Sequence, residues 1–217
     1  MYYLGLDVGS SSVKAAIVDA KSGKSILSVH EPKNEMGINS LNNDWAEQDP
    51  NMWWKYTCDA IKRVCKESNV DSKKIGSIGI SYQMHGLVVV DKNGSPLRDS
   101  IIWCDSRAVN IGNEAFEKLG QKKCMSHLLN SPGNFTASKL KWVKDNEPNI
   151  YEKIYKYMLP GDFIAYKLTG EINTTRNGLS EGIIWDYKNN STADWLLDHY
   201  GIDSNLTPDI VDNFSNQ

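Results

Sequence analysis

The chain has 217 residues, enough for one large domain or a domain with a substantial insertion. It is 40% hydrophobic and 24% charged, sufficient for a sizeable core, and its net charge of -3 supplies no basic field for a polyanion, so no nucleic acid is expected as a partner. The four cysteines, Cys58, Cys65, Cys104 and Cys124, make no CxxC pair and no Cys/His metal spacing, and Cys58 and Cys65 lie on one face of a predicted helix as core thiols. A reducing cytoplasm is the expected compartment. No basic region and long apolar run opens the chain, and no stretch is apolar enough to cross a bilayer, so neither a signal peptide nor a membrane partner is expected.

Tyr2 to Val8 reads as a short apolar strand punctuated by Gly9-Ser10-Ser11-Ser12. Val13 to Asp19 reads as a second strand, and Lys21-Ser22-Gly23-Lys24 turns into a third from Ser25 to Glu31, making an antiparallel meander. Asn34 to Gln48 is polar and irregular. Asp49-Pro50 then starts a helix, with Asp49 as N-cap and Pro50 where its missing N–H costs nothing, and Trp53, Tyr56, Ala60, Ile61 and Val64 form its inward stripe. Strands are predicted at Ile75 to Ser81, Leu87 to Val90 and Ile101 to Trp103. Further on the pattern is mainly helical, at 107–118, 136–146, 148–155, 161–168 and 192–199, with a short strand from Ile183 to Tyr187. The order predicts an α/β domain: a mixed sheet flanked by helices, with a helical insertion, rather than a pure Rossmann sheet. The residues from Asp212 to Gln217 do not read as a packed terminus.

Four segments carry candidate chemistry. In the first, a carboxylate, Asp7, ends a strand before Gly9, Ser10, Ser11 and Ser12 in a hairpin turn, and Lys14 follows. Turn N–H groups, hydroxyls and an ammonium suit nucleotide phosphates, and Asp7 would support Mg²⁺ through water. No GxxxxGK[ST] loop is present, and a plain hairpin whose aspartate bonds its own turn is the alternative. In the second, a strand runs into Gln83-Met84-His85-Gly86, where planar polar groups can bond sugar hydroxyls and Met84 can cover an apolar sugar face. A satisfied histidine beside a turn is the alternative there. In the third, Trp103, Asp105 and Arg107 alternate, which places all three on one face if the segment is extended. A core tryptophan, an Asp105 N-cap and a solvated Arg107 form the other reading. The fourth, Asn134 to Asn146, reads as a structural amphipathic helix capped by Thr136, with Leu140 and Val143 inward.

Taken together, the segments resemble the FGGY carbohydrate kinases, and within them the xylulokinase-like branch. The resemblance runs through Gly5-Leu6-Asp7-Val8-Gly9-Ser10-Ser11-Ser12-Val13-Lys14, Trp45-Ala46-Glu47-Gln48-Asp49-Pro50 with Trp53-Trp54, and Gln83-Met84-His85-Gly86. It continues through Trp103-Cys104-Asp105-Ser106-Arg107, Phe135 to Val143, Leu159-Pro160-Gly161-Asp162 and Leu168-Thr169-Gly170-Glu171. It implies an actin-like ATPase (ribonuclease H-like) fold and a sugar-binding amino-terminal domain over residues 1–217. ATP and Mg²⁺ are the implied cofactors and a small-molecule sugar the substrate, with a homodimer left open as partner state. Asp7 is implied at Mg²⁺ and phosphate, Gly9, Ser10, Ser11, Ser12 and Lys14 at the ATP phosphates, and Gln83, Met84, His85, Trp103, Asp105 and Arg107 at the sugar.

D-xylulose is the favoured sugar, because the glycerol kinase branch carries an Arg-Glu pair where this chain has Gln83-Met84-His85-Gly86. Ribulose, fuculose, rhamnulose or glycerol as substrate, or a non-catalytic sugar-binding module, are the alternatives. Two departures from the family pattern stand out: Asn134, and the segment Thr174 to Gly182 in place of an Asp/Ser/Ala-rich one. The resemblance also implies a catalytic aspartate and an adenine-binding domain beyond residue 217, so this chain alone is expected to be inactive.

Overall fold

The computed structural model describes residues 1–215. Its elements, in chain order, are β1 (Tyr2–Val8), β2 (Val13–Asp19), β3 (Ser25–Glu31), β4 (Glu47–Gln48), α1 (Pro50–Ser68), β5 (Ile75–Tyr82), β6 (Val88–Val90), β7 (Ser100–Ile101), α2 (Val109–Leu119), α3 (Gln121–His127) and α4 (Thr136–Asn146). There follow α5 (Pro148–Tyr151), β8 (Lys156–Met158), α6 (Pro160–Thr169), β9 (Asn173–Thr175), α7 (Arg176–Glu181), β10 (Trp185–Asp186), β11 (Ser191–Thr192), α8 (Asp194–Tyr200) and β12 (Asp209–Val211).

The main sheet has the order β3-β2-β1-β5, with the meander antiparallel and β5 parallel to β1. Alternation along β1 and β2 turns Leu4, Leu6, Val8, Val13, Ala15 and Ile17 to one side, where they pack with Trp53, Ala60 and Val64 of α1. Asp49 caps α1 as the sequence predicts, its carboxylate accepting from the Asn51 N–H at 2.8 Å.

A second core lies beneath the helical part and gathers Ala137, Leu140, Val143, Leu179, Leu196 and Leu197. The short strands β6, β7 and β8 separate the two cores. Leu87, Val89, Ile101 and Tyr157 face the helical core, whereas Val88, Val90, Ile102 and Met158 face the core of the main sheet. Burial on both faces explains why β6 is an unbroken apolar run.

Four sequence expectations need correction. The strand placed at Ile101 to Trp103 ends at Ile101, because Ile102 donates to Ala46 and the chain then turns, with the Asp105 N–H returning to Ile102 O at 3.2 Å. The helix placed at 148–155 is one turn, since Tyr155 must donate to Val90 O and join the wall of short strands. The strand placed at Ile183 to Tyr187 shrinks to β10: Ile183 has a φ of 60°, and the Ile184 N–H returns to Leu179 O. Thr136 does not cap α4; Phe135 holds the N-cap position and the Thr136 hydroxyl is 3.4 Å from Gly86 O. Of the segment 212–217, residues 212–215 are exposed, and residues 216 and 217 lie outside the described residues.

Candidate functional site

Because β1 and β5 are parallel, their carboxyl ends open on the same edge, with Asp7 beside Ser81 and Val8 beside Tyr82. The Gln83 N–H extends the pairing by donating to Val8 O at 2.8 Å. The hairpin turn and the Gln83–His85 loop therefore leave the sheet side by side, the usual place for ligand groups in an α/β sheet.

The turn is tight, with the Gly9 N–H donating to Ser12 O at 3.0 Å; a Cβ on Gly9 would stand 3.1 Å from that same oxygen. Asp7 pairs with Lys14 across the hairpin at 3.3 Å, and both side chains stay open to solvent. The sequence left Asp7 between a ligand role and a bond to its own turn; its partner is Lys14, not the turn.

Gln48 fastens this edge. Its buried amide donates to Ser10 O at 2.7 Å and Gly37 O at 3.1 Å, and its Oε1 accepts from Trp53 Nε1 at 3.0 Å. Indole N–H is donor-only, so Oε1 must be the atom facing Trp53. The Gln83 Nε2 lies 3.4 Å from that oxygen, which leaves Gln83 Oε1 buried and without a partner among the described residues. Across the opening Trp103, half exposed, donates from Nε1 to Ser10 Oγ at 3.3 Å, joining the third sequence segment to the first.

His85 is fixed from several directions. Its φ of 60° is left-handed, uncommon for a residue with a side chain. Its N–H donates to Glu181 Oε1, and its carbonyl accepts from Lys139 Nζ at 2.9 Å. The ring stands edge-on to Phe135 at 4.3 Å, with Nδ1 3.2 Å from Glu181 O. A carbonyl only accepts, so Nδ1 carries a proton towards Glu181 O. Gly86 lets the loop pass Pro160, since a Cβ there would stand 2.5 Å from the Pro160 Cγ. Met84 is exposed beside this loop.

Asp105 and Arg107 do not share a face with Trp103, which corrects the extended reading of 103–107. The turn after Ile102 drives Asp105 inward to full burial, where it accepts from the Ala46 N–H at 2.7 Å, the Arg107 N–H at 2.9 Å and the Arg107 guanidinium. It caps this turn rather than α2. Arg107 is only 1% exposed, stacked 3.8 Å from Trp45 and 4.7 Å from Trp142, and paired with Glu47 at 2.7 Å. Both residues wall the site from behind.

Two buried ionisable groups stand in the same wall. Lys139 bridges the loops, donating to His85 O and Ile102 O, both at 2.9 Å, and burial lowers its pKa to about 8 against the pull of Asp105, Cys104 and Glu181. Asp162 accepts from the Leu159 N–H at 3.1 Å and the Thr174 hydroxyl at 2.9 Å; burial raises its pKa to about 7, and Glu181 adds to the rise. Tyr82 is pushed well above the usual phenol range by burial, then by Asp162 and Glu181.

Sequence reasoning gave no role to Gln48, Lys139 or Glu181. Lys139 stands between Ser138 and Leu140, and only the fold shows that this stretch of α4 is buried. Glu181 lay in the segment already marked as departing from the family pattern. No group of His, Cys, Asp and Glu able to cage a metal exists among the described residues. A surface depression lined by Asp91, Glu152, Tyr155 and Leu206 shares none of these residues.

The meander, the parallel β5 and the polar carboxyl edge define an actin-like ATPase fold, and solved sugar kinases share it. A kinase from Brucella ovis described as a xyloylose kinase superposes with a TM-score of 0.88 at 30% identity, over 97% of this chain and 42% of its own. A gluconate kinase from Lactobacillus acidophilus has the same fold, with a TM-score of 0.86 at 24% identity, over 97% of this chain and 42% of its own. The model of the FGGY family of carbohydrate kinases, N-terminal domain, matches residues 2–215, and the chain belongs to that family. The xylulose kinase of Staphylococcus xylosus is 33% identical over 211 residues, which cover 97% of this chain and 42% of that relative's length.

Proposed function

We propose that this chain is the sugar-binding half of an ATP-dependent kinase that phosphorylates D-xylulose on its C5 hydroxyl. The observation that carries the reading is the shared edge: the Gly9–Ser12 turn and the Gln83–His85 loop emerge side by side and are tied by Gln48 and by the Trp103–Ser10 bond. A sugar held by Gln83, Met84, His85 and Trp103 would then lie beside the turn that receives the phosphates.

The residues fit ATP and Mg²⁺ in a limited way. The open Asp7–Lys14 pair and the serine hydroxyls can meet an anion and a hydrated cation, whereas no all-protein metal cage is present among the described residues. Bound Mg²⁺–ATP would supply the phosphoryl group and neutralise its charge. Asp7 would orient the metal's water shell, the Ser10 to Ser12 turn would position the phosphates, and Lys14 would balance their charge.

Four carboxylates of this chain that could be asked to accept the proton are otherwise engaged. Asp105, Asp162 and Asp186 are buried in hydrogen bonds, and Glu181 holds His85. We therefore place the proton acceptor, with the adenine pocket, in the part of the full-length relatives that this chain does not span. Cytoplasmic location and self-association as a homodimer belong to the same proposal; no described helix is long and apolar enough to cross a membrane.

The test is a coupled phosphoryl-transfer assay on the full-length protein that carries this chain, offered D-xylulose, ribulose, fuculose, rhamnulose and glycerol. Turnover of D-xylulose above the others is expected. Preference for glycerol, or no sugar turnover, refutes the proposal.

A further inference from the structure

The Thr174–Gly182 segment folds into β9 and α7 and brings one unexpected carboxylate to the sugar loop. Thr175 starts α7 by accepting from the Gly178 N–H at 3.1 Å, and the helix ends with Glu181 against His85. One oxygen, Oε1, accepts the His85 N–H and lies 3.4 Å from Nδ1. Both side chains remain partly open, His85 at 22% and Glu181 at 23% exposure, so the pair is neither sealed in the core nor free in solvent.

The hydrogen-bonding character of this corner is one-sided. Glu181 is an acceptor, and with Nδ1 committed to Glu181 O the uncharged tautomer of His85 would offer the Nε2 lone pair beside it. Acceptors alone suit hydroxyl donors. They mismatch a carboxylate ligand, which offers no proton and would meet Glu181 as a like charge.

We infer that Glu181 is a specificity-determining residue: it locks His85 in its left-handed conformation and admits neutral polyols while turning away sugar acids. This rests on the reading of the edge as a sugar site. The fold itself does not impose the choice, since it is shared by Lactobacillus acidophilus structures described as a gluconate kinase and as a xylulose kinase.

The test uses this chain as it stands. Wild type, Glu181→Gln and Glu181→Ala are followed by ¹H–¹⁵N NMR at His85 and titrated with D-xylulose and with D-gluconate. In wild type the His85 amide proton, donated to a carboxylate, should resonate well downfield, and it should move upfield in both variants. The His85 Nδ1–H signal should persist in Glu181→Gln, because the Glu181 backbone carbonyl holds it. Wild type should prefer D-xylulose to D-gluconate, and Glu181→Gln should narrow that ratio by about tenfold.

A His85 amide that ignores both substitutions overturns the locking role, and a ratio unchanged in folded Glu181→Gln overturns the selectivity. If wild type binds neither sugar, the sugar-site reading fails and takes the selectivity with it, while the amide shift still decides the locking role. If Glu181→Ala does not fold, the isosteric Glu181→Gln supplies both readouts.

Discussion

Replacing Asp162 by asparagine should make the protein more stable at neutral and alkaline pH, and the gain should vanish in acid. The carboxyl sits buried at the start of α6 with a pKa raised from 3.8 to about 7. Below the unfolded value both states are protonated and the group costs nothing. Between about 4 and 7 the folded state keeps a proton that the unfolded chain has released, so stability falls as pH rises. Above that window the full penalty applies, roughly three pKa units at 1.36 kcal/mol each, about 4 kcal/mol as a ceiling.

The side chain of the Asp162→Asn variant would keep an acceptor for Leu159 and Thr174 without the charge. An unpartnered amide N–H would return about 1–2 kcal/mol, leaving a net gain of about 2 kcal/mol. Urea unfolding followed by tryptophan fluorescence, at about pH 8 and about pH 5, reads the difference as a shift in midpoint at constant slope. A variant no more stable than wild type at the higher pH, or a gap that fails to shrink at the lower one, would refute the reasoning.

Lys139→Met should remove the rise in stability that wild type gains between about pH 8 and the unfolded lysine value, because the folded pKa is depressed and the unfolded chain binds the extra proton in that window. The same substitution leaves His85 O and Ile102 O without their shared donor, so hydrogen exchange around both loops should quicken even where the midpoint moves by only about 1 kcal/mol. Gly161→Ala should cost about 3 kcal/mol or more in chemical unfolding, since its Cβ would enter the Tyr82 ring and the neighbours are packed too closely to yield.

The meander and α1 were legible in the sequence because their signals are local: alternation in Tyr2–Val8 and Val13–Asp19, and an Asp-Pro start before a helical stripe. The shared edge was legible in its parts, as Asp7 and the turn on one side and Gln83 to His85 on the other. What joins the parts was not. The Gln48 amide reaches Ser10, Trp53 and Gln83 across distant stretches of chain, and no spacing rule announces such a bond. The 103–107 segment misled because period-two spacing assumes an extended backbone, and the buried Asp105–Arg107 pair instead closes a turn. α7 was missed because six residues opening on Arg176-Asn177-Gly178 carry no helical stripe; tertiary contacts and the Thr175 cap create it.

The wall of short strands between the two cores has a thermodynamic consequence. Leu87 to Val90 contributes alternate side chains to opposite compartments, so loosening either one strips half the burial from residues that the other still needs. Neither compartment can melt by itself without opening the second to water. The sheet that carries the hairpin and the helical lobe that carries Glu181 and Lys139 should therefore unfold as one cooperative unit. Ordering of the Gln83–His85 loop, which Lys139 and Glu181 hold, would then be felt as rigidity at the Gly9–Ser12 turn.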